Sequence, residues 1–335
     1  KAKIKELYVE GGGPEYWGGF VSFGSSLGIV DLNEIILDYQ LCNKYGLDAI
    51  STGHVIATAM ELVESGKLNL DIRFGSNDNV PELIRKIVYR EDIGNELAEG
   101  ADYLAKKYGK EEAAVTIRGL EIGLCHPARA QGYGLALATS NRGDYNQTML
   151  RDEILLDKLD PDSIEGKAEY AVHMQNLFVV ADSSVVCIFS TYFLDFEDYA
   201  KFLTAVTGVE FTKEELYILG NRVYSAERWF NYLSTGNEID TLPARVSSGI
   251  KLSEMLPRYY ELRGWVNGIP TEETLKKLEI IWKIYLLIYS PDNIDISFSI
   301  SSNSSSVNPN NWATAKSISF STFLSSSLGF LILSQ

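Results

Sequence analysis

Capped helical segments are the feature that most constrains the fold of this chain. The segment from Asp31 opens on a capping residue, has Glu34 three residues later and stops at Gly46. Helical periodicity recurs near residues 54–65, from Pro81, and near 93–109, 167–177, 212–234 and 252–262. Strands and helices do not alternate regularly, which argues against a doubly wound sheet. We therefore predict a mainly α-helical chain, with a short strand within its first ten residues.

The net charge and the cysteine content restrict which molecules the chain can bind and where it functions. The formal net charge of the 335 residues is −15, which opposes binding to nucleic acid and to anionic membrane surfaces. Three widely spaced cysteines, Cys42, Cys125 and Cys187, do not form a disulfide framework and suit a reducing cytoplasm. The sequence shows no signal peptide and no apolar run of membrane-spanning length. Because it opens on Lys1, we expect an upstream part to be missing.

Familiar catalytic motifs do not occur in the sequence. It has no phosphate-binding loop, no nucleophile elbow and no His-Glu-x-x-His pair. The three histidines, His54, His126 and His173, are too far apart in sequence to suggest a zinc site by themselves. By elimination, the chemistry is expected to come from a bound cofactor, or the chain has none.

Several short segments between about residues 10 and 275 occur in the same order as in a known protein family. The segments are GPEYW, IVDLNEII, GLDAISTG, GLALATSNRG, ADSSVVC, VTGVEFTKEELYILGNRVYSAERWFN, DTLPAR and YYELRGWVNGIPT. Together they resemble the helical second and third domains of the tungsten-containing aldehyde:ferredoxin oxidoreductase family. The resemblance implies helical domains over residues 1–145 and 146–285. Residues 286–335, rich in serine and poor in charge, are predicted to be a disordered low-complexity tail.

The resemblance also implies a cofactor and the residues that hold it. Two pterin dithiolenes hold one tungsten in this family, and matching segments place Asp48 and Asp182 each against one pterin. A carboxylate accepts hydrogen bonds from the N–H groups of a pterin edge. Asn141 and Arg142 fall in the same cofactor region, with Arg142 suited to a phosphate. Local alternatives remain: a helix cap for Asp48 and an ordinary surface ion pair for Arg142.

Cys187 matches the family's fourth ligand to a [4Fe–4S] cluster. Such a cluster takes four thiolates, and the resemblance implies that the others form a Cys-x-x-Cys-x-x-x-Cys run just before GGGPEYW. That stretch has no cysteine here, so the chain as written cannot bind the cluster alone. The family's Gly-Leu-Cys is Val185-Val186-Cys187, which removes a glycine from a tight turn. The alternative interpretation of Cys187 is a buried thiol that packs as a small apolar side chain.

Glu15 and Asn146 are the catalytic candidates. Glu15 lies in a segment that approaches the tungsten in the family, and its alternative is a solvated loop residue. Asn146 stands where aldehyde-oxidising members have a histidine, and an amide hydrogen-bonds a substrate oxygen but does not titrate. The resemblance implies oxidation of a small aldehyde to a carboxylic acid, with ferredoxin as electron partner and a possible homodimer. Two alternatives stay open: another substrate, such as an aromatic thioester that is reduced, or a truncated non-catalytic relative.

Overall fold

The described part of the chain is mainly helical. The computed structural model describes residues 2–4, 7–9, 15–123, 127, 129–143, 151–154, 158–236 and 239–280. Within them the α-helices are α1 (Leu32–Tyr45), α2 (Ala49–Glu64), α3 (Val80–Tyr89), α4 (Gly94–Leu97), α5 (Ala101–Lys107), α6 (Gln131–Thr139), α7 (Arg151–Ile154), α8 (Lys167–Ser183), α9 (Phe196–Thr207), α10 (Lys213–Thr235), α11 (Ala244–Ser247), α12 (Leu252–Arg263) and α13 (Glu272–Lys277). A π-helix, Tyr16–Ser25, and 3₁₀ turns at Glu111–Ala113 and Ile188–Tyr192 complete the helical part.

The described strands form three separate antiparallel hairpins. They are β1 (Ala2–Ile4) with β2 (Leu7–Val9), β3 (Thr116–Ile117) with β4 (Leu120–Glu121), and β5 (Trp265–Val266) with β6 (Ile269–Pro270). The last two turn through Arg118-Gly119 and Asn267-Gly268, whose positive φ angles match the left-handed turns that suit two-residue hairpins. The predicted mainly α-helical fold is confirmed, and the strand expected at the start is a hairpin.

The structure changes three predicted helix boundaries, one of which is the end of α8: this helix runs to Ser183 rather than to about residue 177. Helix α2 begins at Ala49, not near His54, because the Asp48 carboxylate accepts the Ser51 N–H and starts the helix earlier. The helix expected over 93–109 is broken into α4 and α5, because Gly100 adopts a φ of 93° between them. Asp31, Gly46 and the Thr212–Glu215 capping box act as predicted.

Two large apolar cores hold the described helices together. The first contains buried residues between Phe23 and Ala114, and the second contains buried residues between Leu135 and Trp265. Helix α6 is wholly buried and contributes to the second core although it lies before residue 145. Helix α8 is buried on most of its surface and packs against α6, α10 and α12. The domain boundary at 145/146 stays a prediction.

All described residues belong to one compact unit, Lys1–Trp282. The predicted disorder of residues 286–335 lies outside the described residues. No helix in the described part of the chain is both long enough and apolar enough to cross a bilayer.

Asp38 is an ionisable side chain in an unfavourable, apolar environment. It lies on the buried face of α1 with Ile35 and Cys42 and is fully buried. Neither carboxylate oxygen has a hydrogen-bond partner among the described residues. Burial raises the pKa of Asp38 to about 8; the nearby Asn77 amide opposes this shift and the Glu34 carboxylate adds to it. The folded protein therefore favours the neutral acid at neutral pH.

We expect Asp38→Asn to remove a pH-dependent loss of stability. An exposed aspartate in the unfolded chain ionises near pH 4, whereas Asp38 keeps its proton in the folded state up to about pH 8. The folded state therefore binds more protons in this window, so the free energy of unfolding falls as pH rises and levels off above about pH 8. The amide variant should gain stability progressively across the window, measured by urea unfolding at several pH values.

The control is Asp31→Asn, which changes an exposed capping residue at the start of the same helix. The amide oxygen can still accept the Asn33 N–H, so this variant should follow the wild-type pH profile. An unchanged pH profile in Asp38→Asn would show that Asp38 ionises normally in the folded protein.

Candidate functional site

The turn after α8 presents Cys187 to solvent. The Val186 N–H donates to the Ala181 carbonyl at 3.0 Å, and the Val185 N–H donates to the Asp182 carbonyl at 3.0 Å, which closes the end of the helix. Cys187 then precedes the 3₁₀ turn Ile188–Tyr192 and is exposed. The interpretation of Cys187 as a buried, apolar-packed thiol is therefore wrong.

Val185 occupies a backbone conformation that favours glycine. Its φ is +58°, and its side chain is 94% exposed. A β-branched residue in this region is a conformational outlier. The Val185 side chain therefore has few neighbours to crowd, and the cost of a valine at this position lies in the backbone.

An ion pair joins Asp182 to Arg142. An Arg142 Nη2–H group donates to Asp182 Oδ2, so the Ser140–Gly143 segment meets the last turn of α8. The side chains are 40% and 30% exposed, so the pair lies at the surface. The structure thus brings together two of the predicted cofactor residues, with Cys187 five positions beyond Asp182.

Asn141 holds the same segment from the inside. Its Nδ2 group donates to the Tyr224 carbonyl at 2.9 Å and to Glu227 Oε2 at 3.2 Å. Its own carbonyl accepts from Asn231 Nδ2 at 2.8 Å. Asn141 Oδ1 is buried and has no hydrogen-bond partner among the described residues, so it is an acceptor open to an N–H donor.

A buried charge network fixes the chain just before this segment. Arg228 donates to Asp240 Oδ1 at 2.8 Å and to the Thr139 carbonyl at 2.7 Å, and both charged side chains are buried. Arg118 donates to the same aspartate oxygen at 2.9 Å, and Tyr260 donates to its other oxygen at 2.7 Å. Sequence reasoning missed the role of Asp240, although DTLPAR was one of the segments that carried the resemblance.

Glu15 and Asp48 form a second group at the start of the π-helix and of α2. Glu15 Oε2 accepts the Gly18 N–H at 2.6 Å, and Asp48 Oδ1 accepts the Ser51 N–H at 2.6 Å. A Cβ atom on Gly18 would lie 3.2 Å from Glu15 Oε2 and 3.1 Å from the Ala49 side chain, so the two capping sites are neighbours. Both residues are exposed.

The two groups make no direct polar contact. Within the described residues, no hydrogen bond or ion pair joins Glu15 or Asp48 to Arg142, Asp182 or Cys187. Trp17, two residues after Glu15, packs against the second core. Asn146 lies outside the described residues, as do Cys125 and His126.

The described residues fit a cofactor that supplies its own metal ligands. They contain no group of three or more His, Cys, Asp or Glu side chains that could hold a metal ion. The carboxylates of Asp48 and Asp182 and the unpaired Asn141 Oδ1 atom can accept hydrogen bonds from N–H groups. The guanidinium of Arg142 can bind a phosphate. Of the described thiols, Cys42 is buried, and burial raises its pKa to about 12, so Cys187 is the accessible one.

Comparison with known proteins matches residues 1–280 to the family model for aldehyde ferredoxin oxidoreductase, domains 2 and 3. The tungsten-containing aldehyde ferredoxin oxidoreductase of Pyrococcus furiosus is 38% identical over 80% of this chain and 48% of the relative. That of Thermococcus kodakarensis is also 38% identical, over 78% and 47%. The chain thus spans about half the length of these curated relatives.

Two more distant likenesses are also found, one in sequence and one in fold. The WOR-like subunit of an aliphatic sulfonate oxidoreductase from Pyrococcus furiosus is 27% identical over 77% of this chain and 44% of its own. A solved active-site complex of benzoyl coenzyme A reductase with 1,5-dienoyl-CoA superposes with a TM-score of 0.66. It covers 81% of this chain and 50% of that chain at 20% identity, which shows a shared fold.

We expect Val185→Gly to stabilise the protein. Glycine adopts a positive φ without the steric cost that Val185 meets, and little packing is lost from a side chain that is 94% exposed. The gain should be about 1 kcal/mol, after the greater freedom of glycine in the unfolded chain is subtracted. Denaturant unfolding measures it. Val186→Gly is the matched control, because Val186 has no positive φ and should not be stabilised. Equal effects at both positions would contradict this explanation.

Proposed function

Since the chain belongs to the aldehyde ferredoxin oxidoreductase family, we propose that it forms the helical part of a tungsten-pterin oxidoreductase. The complete enzyme oxidises a small aldehyde to a carboxylic acid, takes the added oxygen from water and passes two electrons to ferredoxin. The family membership and the half-length coverage of the tungsten-containing relatives support this proposal.

The observation that carries the proposal is the ion pair between Arg142 and Asp182, together with the exposed Cys187 that follows Asp182 by five positions. It groups a carboxylate, a guanidinium and a thiol on one turn and one neighbouring segment. When bound, the tungsten with its two pterins supplies the two-electron redox chemistry. The protein residues bind and orient: Asp182 accepts N–H bonds from one pterin, and Arg142 orients that carboxylate or binds phosphate.

Asp48 takes the corresponding role for the second pterin. Its Oδ1 atom caps α2, while no described residue donates to Oδ2. A carboxylate has about four acceptor sites, so capping the helix leaves capacity for a ligand. The helix cap and the cofactor contact are therefore compatible roles for the same side chain.

Cys187 is proposed as one thiolate ligand of a [4Fe–4S] cluster. The other three thiolates have to come from outside the described residues, in which Cys42 is buried. A thiol so close to Asp182 in sequence places a cluster ligand beside a pterin contact. Short separation between redox centres would allow electrons to leave the tungsten toward ferredoxin.

Glu15 and Asn146 are proposed to act on substrate. Glu15 is exposed and uses one carboxylate oxygen in its cap, so the other can accept a proton or a water O–H. Asn146 would donate to the aldehyde oxygen through its amide and orient the substrate without exchanging a proton.

The test is to produce the intact gene product in a tungstate-supplied host that makes the pterin. We expect bound tungsten, about four irons per protein and aldehyde-dependent reduction of ferredoxin. A protein that contains neither tungsten nor iron under these conditions would contradict the proposal and favour a non-catalytic relative.

Asp182→Asn should lower the tungsten content, because an amide gives up one of the acceptor positions and the charge that strengthens the pterin bonds. Metal analysis of the purified protein measures the tungsten-to-protein ratio. Asp162→Asn is the matched control, since it breaks another exposed Arg–Asp pair, that with Arg129, and should leave tungsten unchanged. Equal tungsten in wild type and Asp182→Asn would argue against this carboxylate as a pterin ligand.

Reduction of an aromatic thioester is the second candidate activity. It is favoured by Asn146, which stands in place of the histidine of aldehyde-oxidising members. Parallel assays with aldehydes plus oxidised ferredoxin, and with an aromatic thioester plus a strong reductant, distinguish the two. Turnover in the second assay alone would replace aldehyde oxidation as the proposed reaction.

A further inference from the structure

A cavity of about 230 Å³ lies beside α2, away from the predicted cofactor residues. Apolar side chains such as Ala57, Phe74 and Ala113 form part of its wall, and His54 and Glu121 face it among its polar groups. None of Glu15, Asp48, Asn141, Arg142, Asp182 and Cys187 lines it. Its residues on α2 run from position 54 to position 61, which is about 9–20 Å along the helix from Asp48 at 1.5 Å per residue.

Glu121 brings a buried carboxylate to this cavity. It is 5% exposed, and its Oε1 atom accepts the Ala101 N–H at 2.8 Å. No lysine or arginine in the described part of the chain forms an ion pair with it. A carboxylate buried without a cationic partner is costly, so a bound cation would relieve that cost.

The other charged groups at the cavity wall form one cluster, in which two cations face a single carboxylate. Glu61 accepts from Arg245 Nη1 at 2.7 Å, and Lys110 Nζ lies 3.1 Å from Glu61 Oε1. Both ion pairs lower the pKa of Glu61, with the Arg245 hydrogen bond as the largest cause. Glu61 is thus fully paired, and Glu121 is the carboxylate of the lining that forms no ion pair among the described residues.

His54 adds a neutral acceptor rather than a competing cation. Burial lowers the pKa of His54, although the Glu121 carboxylate opposes this shift, so the imidazole is uncharged at neutral pH. Its Nε2 atom lies 3.5 Å from Ser26 Oγ, and a hydrogen bond to the Ile50 backbone also opposes the fall in its pKa. A neutral imidazole offers one acceptor nitrogen beside the carboxylate.

We propose that this cavity binds a small organic cation, with its ammonium group at Glu121 and its apolar body against Ala57 and Phe74. A cavity of about 150 Å³ already takes benzene, so one of about 230 Å³ has room for an aromatic ring with a short ammonium arm. The site is separate from the proposed redox centre and does not depend on a loaded cofactor.

Benzylammonium is the probe, with benzyl alcohol and benzoate as uncharged and anionic comparators of similar shape. Calorimetry on the full chain at neutral pH should show saturable binding of benzylammonium, weaker binding of benzyl alcohol and none of benzoate. Equal binding of all three, or no binding of benzylammonium, would overturn the proposal.

Two variants locate the bound cation. Glu121→Gln keeps an oxygen for the Ala101 N–H but removes the charge, and should weaken benzylammonium binding about tenfold or more. Ala57→Leu fills part of the cavity and should abolish binding without lowering the melting temperature of the free protein. Glu64→Gln, an exposed change on the same helix, is the control. Unchanged affinity in a folded Ala57→Leu protein would place the probe elsewhere, even if Glu121→Gln failed to fold.

Discussion

The buried contact between Arg228 and Asp240 is the interaction on which the predicted cofactor region depends. It joins α10 to the segment before α11, and the same guanidinium holds the Thr139 carbonyl at the end of α6. Removing one partner of a buried pair costs about 3–5 kcal/mol, because the remaining charge stays buried and unpaired. The segment that follows Thr139 carries Asn141 and Arg142, so its position is set from inside the protein before any cofactor binds.

Arg263 also joins helices through a buried guanidinium, but its partners are not carboxylates. It is 1% exposed and donates to Asn176 Oδ1 at 2.6 Å, Asn221 Oδ1 at 2.8 Å and Gln175 Oε1 at 2.9 Å. Its guanidinium also lies 4.2 Å from the centroid of the Tyr224 ring. No carboxylate in the described residues is within ion-pair distance of it. Amide oxygens and aromatic faces therefore fix α8, α10 and α12 against one another.

Local chemistry was readable from the sequence, and long-range pairing was not. The caps at Asp31 and Thr212 follow from residue types three positions apart, so the helices that they start were predictable. Gly100 could belong inside a helix or break one, and only the packed structure decides this. The Arg118–Asp240 contact spans 122 positions, and no local periodicity reports it. The candidate residues came from an ordered family resemblance, which places residues in a site without describing their contacts.

The two Arg–Asp pairs differ in burial, and this difference separates the fixed scaffold from the adaptable site. The Arg228–Asp240 side chains are fully buried, whereas those of Arg142 and Asp182 are 40% and 30% exposed. An exposed ion pair contributes only about 0–1 kcal/mol, so rearranging it around a ligand costs little. In the proposed function, Asp182 can therefore turn toward a pterin and Arg142 toward a phosphate while the buried network stays intact. A site built this way keeps its backbone fixed while its outermost side chains rearrange around the ligand.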